Sequence, residues 1–401
     1  MWFYPTSMSQ NQFSRMKDAW NTVFIKYFAG VNVYSRLKWI TEAVAPCEFF
    51  TSQSSASSDL LSIDIGGGTS DAVYYSAVDT NNDNVKFITS FRFAANALFG
   101  SGIGGKTQQQ NKMVSYYLEH ISPYIDESQS SELSDLLGDY KASCNYSDIA
   151  QFLFSLVDSK AIKNNNTIKI DDVDFNKLLG ADSDYKVVFI LFYAAIICHL
   201  TCIIKSKNLK EPRHIAFSGN GSKLLRILST DNVVIENFTK VLFEKFMGRQ
   251  YDENGLQMQL PNNPKELTCK GGLLSQSSQK FSDAEKAKVI LCSKDNASFV
   301  SSGLKYKEIN EDYLQKVKVH IDKFVDLMEQ VDKEFSFENN FGARKDSVAM
   351  IKNANKDILT FLQKGIKEHI AVDPDAEVDE TLFFYPIIGM IGNIINAVEK
   401  N

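Results

Sequence analysis

The stretch from Leu60 to Phe93 restricts this chain more than any other. Leu61, Ile63 and Ile65 alternate with polar neighbours, the period-two pattern of a half-buried strand. Gly66-Gly67-Gly68 follows, and Ala72 to Val78 then reads as a second strand. Thr80 to Asn84 is a turn, and Val85 to Phe93 a third strand. Two adjacent strands of a hairpin therefore meet at a triple glycine flanked by Asp64 and Asp71. A plain hairpin needs only one or two glycines. Three in a row let the backbone come close to an anion and aim several N–H groups at it. Thr69 adds a hydroxyl, and Asp64, at a strand end, can hold a water of hydrated Mg²⁺. Asp71 lies two residues beyond Thr69 and so faces the same way on the second strand.

The rest of the chain predicts an α/β protein. A short strand ends near Pro5, a helix runs from about Ser9 to Phe28, and Val31-Asn32-Val33 precedes a helical stretch near Thr41 to Phe50. Residues 51–59 are a polar loop. Residues 121–185 are mixed and rich in turns, such as Asn164-Asn165-Asn166, and read as an inserted α/β subdomain. Val187 to Ile204 is apolar and long enough to span a bilayer. It holds His199 and two cysteines and leads straight into a strand, so a buried core helix is expected instead. His214 to Ser218 is a short strand, Gly219 to Ser222 a tight loop, and Lys223 to Leu228 begins a helix. Val233 to Phe246 predicts a strand and a helix. Beyond residue 276, Leu314, Val317, Ile321, Phe324, Met328 and Val331 recur at helical spacing along a narrow seam. Val348, Ile351, Ile358 and Phe361 suggest a second helix, and Asn339 to Gly342 breaks the two into a hairpin. Leu382 to Val398 predicts a packed terminal helix.

At 401 residues, two or three domains are expected. A net charge of −6 without a basic block argues against nucleic acid as a partner. Cys47, Cys144, Cys198, Cys202, Cys269 and Cys292 are scattered, which predicts reduced thiols and a cytoplasmic setting rather than a disulfide framework. The opening Met-Trp-Phe-Tyr-Pro lacks the basic-then-apolar layout of a secretory signal, so neither export nor membrane attachment is expected.

With these elements in order, the chain resembles the actin/sugar-kinase/DnaK-type ATPase superfamily, and DnaK-type chaperones most closely. Asp64 to Thr69 is similar to that family's second phosphate loop. Ile40-Thr-Glu42-Ala-Val-Ala-Pro46 resembles the segment carrying a catalytic glutamate, which makes Glu42 the residue that orients the attacking water. Tyr4-Pro5-Thr6-Ser7, with the helix holding Lys17-Asp18-Ala19, resembles the strand–proline–helix unit of domain I. Ile215-Ala-Phe-Ser-Gly219-Asn220-Gly221-Ser222-Lys223 is similar to the adenosine motif. Lys270-Gly271-Gly272-Leu-Leu274 looks like the last connecting helix, whose small residues let two helices cross closely.

The resemblance implies a ribonuclease-H-like three-layer α/β/α fold with an inserted subdomain and an α-helical C-terminal extension. Residues 1–58 would be a remnant of domain I, 59–275 domain II with the insertion at about 121–185, and 276–401 the extension. It implies binding of ATP or ADP with Mg²⁺. Gly66, Gly67, Gly68 and Thr69 would hold phosphate, Gly219, Asn220, Gly221, Ser222 and Lys223 the adenosine, and Asp64 the metal through water. Asp64 and Thr69 would join Glu42 as the catalytic set. Family members open with an Asp-x-Gly-Thr-like first phosphate loop, and this chain begins almost at the strand that follows it. Hydrolysis is thus expected only with that loop supplied.

Other readings exist. A non-catalytic actin-like scaffold or filament-forming protein would keep the fold for assembly, with self-association through the C-terminal helices. Gly100-Ser-Gly-Ile-Gly-Gly105-Lys106-Thr107 fits a P-loop, although Phe91 to Phe99 is a poor buried strand to precede one. Cys198 and Cys202 share a helix face, but His199 points about 100° away, so core packing is expected there and not a metal. Asp171-Asp172-Val173-Asp174 reads as a helix cap or solvated loop.

Overall fold

The computed structural model describes residues 1–8, 10–28, 38–53, 59–76, 84–103, 110–252, 255–275 and 303–399. The protein is mixed α/β with a five-stranded mixed sheet. It divides into two compact units. One comprises Met1–Arg92, Lys210–Ser222 and Glu253–Ile290; the other Phe93–Leu209, Lys223–Asp252 and Leu291–Asn401. The chain passes from one unit to the other after Arg92, Leu209, Ser222, Asp252 and Ile290.

In the first unit, β1 (Trp2–Tyr4) pairs in parallel with β2 (Trp39–Thr41), joined by the helix Gln10–Tyr27. Aromatic rings bind that helix to the strands: Tyr4 lies 4.3 Å from Phe13, and Phe13 meets Trp39 edge-on at 5.7 Å. Thr41 then caps the helix Val44–Gln53, its hydroxyl accepting from the Val44 N–H at 3.1 Å. Pro46 is tolerated because it sits in the first turn, where its missing N–H breaks no helical bond.

The main sheet contains β3 (Leu60–Ile65), β4 (Ser70–Tyr75), β5 (Val85–Phe91), β6 (His214–Ser218) and β7 (Gln257–Gln259). Their spatial order is β5-β4-β3-β6-β7. β4 runs antiparallel to both neighbours, while β3, β6 and β7 are parallel. The turn between β4 and β5 falls largely outside the described residues. Leu60, Val73, Tyr75, Ile88 and Ala216 form one core with Val44, Cys47 and Phe50 of the adjacent helix and Leu267 of the helix Glu266–Leu274. Those two helices cross at backbone contact. A Cβ on Gly271 would collide with the carbonyl oxygen of Ala45, and one on Gly272 would lie 2.5 Å from the Phe3 ring. The small residues singled out in the sequence are therefore a steric requirement.

The second unit is helical. Its centre is the helix Lys186–Ser206, whose mean hydropathy of 2.6 would suit a membrane but whose apolar window is 94% buried within the fold. Phe93 stacks on Phe384 at 4.4 Å and meets Phe192 at 5.1 Å. The Tyr193 hydroxyl pairs with that of Thr239 at 2.7 Å, satisfying two polar groups in the core. The expected seam is real: Leu314, Val317, Ile321, Phe324, Met328 and Val331 are all buried on the helix Glu311–Phe335. The short helix Phe337–Phe341 ends at Gly342, whose φ of 66° suits glycine. The helices Ile358–Val372 and Phe384–Ala397 cross where Gly365 meets Tyr385 and Gly389 meets Phe361.

Two expectations need correcting. Residues 121–185 contain helices and no strand, so the insertion is helical rather than α/β. Its turn-rich look comes from caps: Asp174, for example, accepts from the N–H groups of Asn176 and Lys177. Val233 to Phe246 is likewise one helix, Asn232–Met247, with no strand. Its β-branched start is overridden by the Asp231 cap and by burial of Ile235, Phe238, Thr239 and Leu242 on one face. Residues 104–109 of the P-loop-like segment lie outside the described residues.

Candidate functional site

Strand register builds this site. Asp64 on β3 lies directly opposite Asp71 on β4. Asp71 in turn lies opposite Ser90 on β5, and Asp64 opposite Ser218 on β6. Ser90, Asp71, Asp64 and Ser218 thus form a polar row across four strands. It is on the same sheet face as Val73, Tyr75 and Ile88, because residues two apart in a strand point the same way. The row ends the hydrophobic layer just where the strands give way to loops.

Two like charges directly opposite each other in a sheet are mutually destabilising. Burial raises the Asp64 carboxyl from its ordinary 3.8 to about 6; a 2.8 Å hydrogen bond donated by the Ser218 hydroxyl works against that, and the nearby charge of Glu42 adds to it. Asp71 is pushed further, to about 7, first by burial and then by the charges of Asp64 and Glu42. The hydroxyls of Ser90 and Thr6 lie close enough to moderate this rise. Neither makes a well-aligned hydrogen bond, and Asp71 Oδ1, Thr6 Oγ1 and Ser90 Oγ are buried without a partner. Glu42 is exposed just after β2, held by its backbone N–H donating to Tyr4 O at 3.0 Å. Three carboxylates thus converge, and among the described residues carboxylates and hydroxyls act on Asp64 and Asp71.

The glycine bend closes through the Gly66 N–H, which donates to Thr69 O at 2.9 Å. That amide belongs to the turn, and Gly67 and Gly68 form its exposed tip, with Thr69 half-buried behind them. After β6, Gly219 takes a φ of 75° and starts the turn Asn220–Leu224. Its carbonyl accepts from the Ser222 hydroxyl at 2.7 Å and from the Ser222 N–H at 3.1 Å. This turn rests directly on the bend. A Cβ on Gly219 would strike Asp64 Oδ1 and Ile65 O, and one on Gly221 would lie 2.7 Å from Gly66 O. Asn220 and Lys223 are exposed, while Gly221 and Ser222 are buried.

No protein-family model matches the chain, and no curated protein matches it. Geometry alone therefore bears on what the site does. It brings Asp64, Glu42, Gly66 to Thr69 and Gly219 to Ser222 together within one compact unit. Sequence reasoning noticed Asp71 but left it out of the site, and it missed Ser90, Thr6 and Ser218 as partners. Register was the signal that could have found Ser90 and Ser218, and register follows only once the strands are paired.

Proposed function

We propose that this chain binds a magnesium nucleotide, ATP or ADP, at the loop end of the β3–β7 sheet, as actin/DnaK-type ATPases do. The observation that carries this reading is the contact between the Gly219–Ser222 turn and the Asp64–Gly66 bend, where only glycine fits. The sheet order, with β4 alone reversed, supports the finer ribonuclease-H-like reading.

The donor set fits Mg²⁺. It consists of hard oxygens, and Asp71 Oδ1 is buried with no hydrogen bond. Asp64 and Asp71 would hold the ion, through its water shell where direct contact is not made. When bound, the ion neutralises phosphate charge. The tip amides of Gly67 and Gly68 and the Thr69 hydroxyl take the phosphates. Gly219 and the exposed Asn220 would meet the nucleoside, while the buried Gly221 and Ser222 seat the turn on the bend. Ser218 fixes the Asp64 carboxylate, and Glu42, exposed beside the pair, would orient a water for attack once a first phosphate loop is supplied.

Equilibrium titration with a fluorescent ATP analogue tests this, with Mg²⁺ and with chelator. The expected result is Mg²⁺-dependent binding that weakens in Asp64→Ala. Absence of binding by the folded wild type, or binding indifferent to both Mg²⁺ and Asp64, overturns it.

A further inference from the structure

The helical unit holds a second group of ionisable side chains, of different chemistry. Cys198 and Cys202 lie four residues apart on the helix Lys186–Ser206, so their side chains sit one above the other on a single face. The helix Glu311–Phe335 brings His320 to the same place, with Nε2 3.9 Å from Cys202 Sγ. The two sulfurs and a ring nitrogen of His320 all lie within 4.8 Å of one another. His199, the histidine adjacent in sequence, faces elsewhere and packs against Phe383 and Phe384.

We propose that Cys198, Cys202 and His320 form a binding site for a thiolate-preferring divalent cation, Zn²⁺, with solvent in the fourth position. Tetrahedral zinc has bonds of about 2.3 Å to sulfur and about 2.0–2.1 Å to nitrogen, which sets its ligands about 3.5–3.8 Å apart. The Cys202–His320 spacing is already within a few tenths of an ångström of that. Two thiolates and a neutral imidazole balance a divalent charge. The soft sulfurs exclude Mg²⁺ and Ca²⁺. Cys198 is buried, while Cys202 and His320 are partly exposed, so the ion has an entry path and a side open to solvent.

The electrostatics agree. A hydrogen bond from the Cys198 thiol, together with His320 and Lys205, holds Cys202 well below the ordinary thiol range. That same bond, with burial, pushes Cys198 up. These neighbours ease loss of the Cys202 proton, and Lys205 and Lys323 favour the same change at Cys198.

The test uses the full chain, reduced and stripped with chelator, then titrated with Zn²⁺ against a chromophoric competitor. Co²⁺ serves as a second, spectroscopic probe. Wild type should take up one Zn²⁺ per chain, and Co²⁺ should give the thiolate charge-transfer and tetrahedral ligand-field bands. Loss of a partner one shell out weakens metal sites about 10–100-fold, so losing two ligands in Cys198→Ser/Cys202→Ser should weaken binding at least about 100-fold. His320→Ala should remove the tetrahedral Co²⁺ signature, while Cys144→Ser should change nothing. Circular dichroism confirms that each variant is folded. Undiminished zinc in the double variant overturns the proposal, as does a reduced, folded wild type that takes up none.

Discussion

Two clusters of ionisable groups are treated in opposite ways by their surroundings. In the sheet unit, Asp64 and Asp71 face each other with Glu42 beside them, and burial and like charge push both carboxyls up. In the helical unit, hydrogen bonding and nearby cationic groups push Cys202 down. One cluster offers hard oxygens, with carboxylates and hydroxyls acting on it among the described residues; the other offers soft sulfur and nitrogen, with one thiol lowered by its neighbours. Burial alone decides neither outcome. The neighbours supplied by adjacent strands or a crossing helix decide it, and they determine which cation each place would accept.

The largest effect should come from a change that breaks one region and spares the other. Gly271→Ala drives a methyl group into the Ala45 carbonyl, which no rotamer change relieves. It should destabilise the sheet unit by about 3 kcal/mol or more. Denaturant unfolding followed by the tryptophans at positions 2, 20 and 39, all in that unit, would measure it, and the Co²⁺ spectrum of the helical unit should survive at low denaturant. Asp64→Ala comes next: it should weaken Mg²⁺-nucleotide binding about 10–100-fold in the equilibrium titration and leave zinc stoichiometry unchanged. An equal loss of both would erase the contrast between the clusters.

Asp71→Asn sharpens the comparison, because it should weaken Mg²⁺ binding while strengthening the metal-free fold. Removing a buried carboxyl raised to about 7 relieves both desolvation and repulsion, and should stabilise the protein by roughly 1–3 kcal/mol near pH 8 in thermal or denaturant melts. The sign follows from linkage. A carboxyl whose folded pKa is raised leaves the folded state holding more protons than the unfolded chain between its ordinary 3.8 and about 7. Metal-free stability should therefore fall as pH rises across that window, and Asp71→Asn should flatten the dependence. The smallest effect is on ligand binding. Mg²⁺ competes with protons for Asp64 and Asp71, so nucleotide affinity should drop as pH falls through about 7 and then 6. A pH-independent affinity over that range would separate the carboxylate pair from the nucleotide.

Much of this was legible in the residues. Alternation at Leu61, Ile63 and Ile65 gave β3, and the seam from Leu314 to Val331 gave a buried helix face, because both patterns repeat at the period of their element. The helical insertion was not legible, since polar capping residues such as Asp174 look like loop when no partner surface is in view. The start of Asn232–Met247 misled for the reverse reason: its β-branched residues favour a strand locally, and a buried face about three turns long, from Ile235 to Phe246, outweighs them.

By itself, the chain determined where glycine interrupts a strand, which acids flank it, and that Cys198 and Cys202 share a helix face, because each depends on spacing within one element. Only the tertiary structure decided that Asp71 opposes Asp64, that Ser90 and Ser218 complete the row, and that His320 reaches Cys202. Those pairings join residues up to 154 positions apart, as Ser218 does with Asp64. No local periodicity encodes a partner on another strand or helix; only packing the elements against one another does.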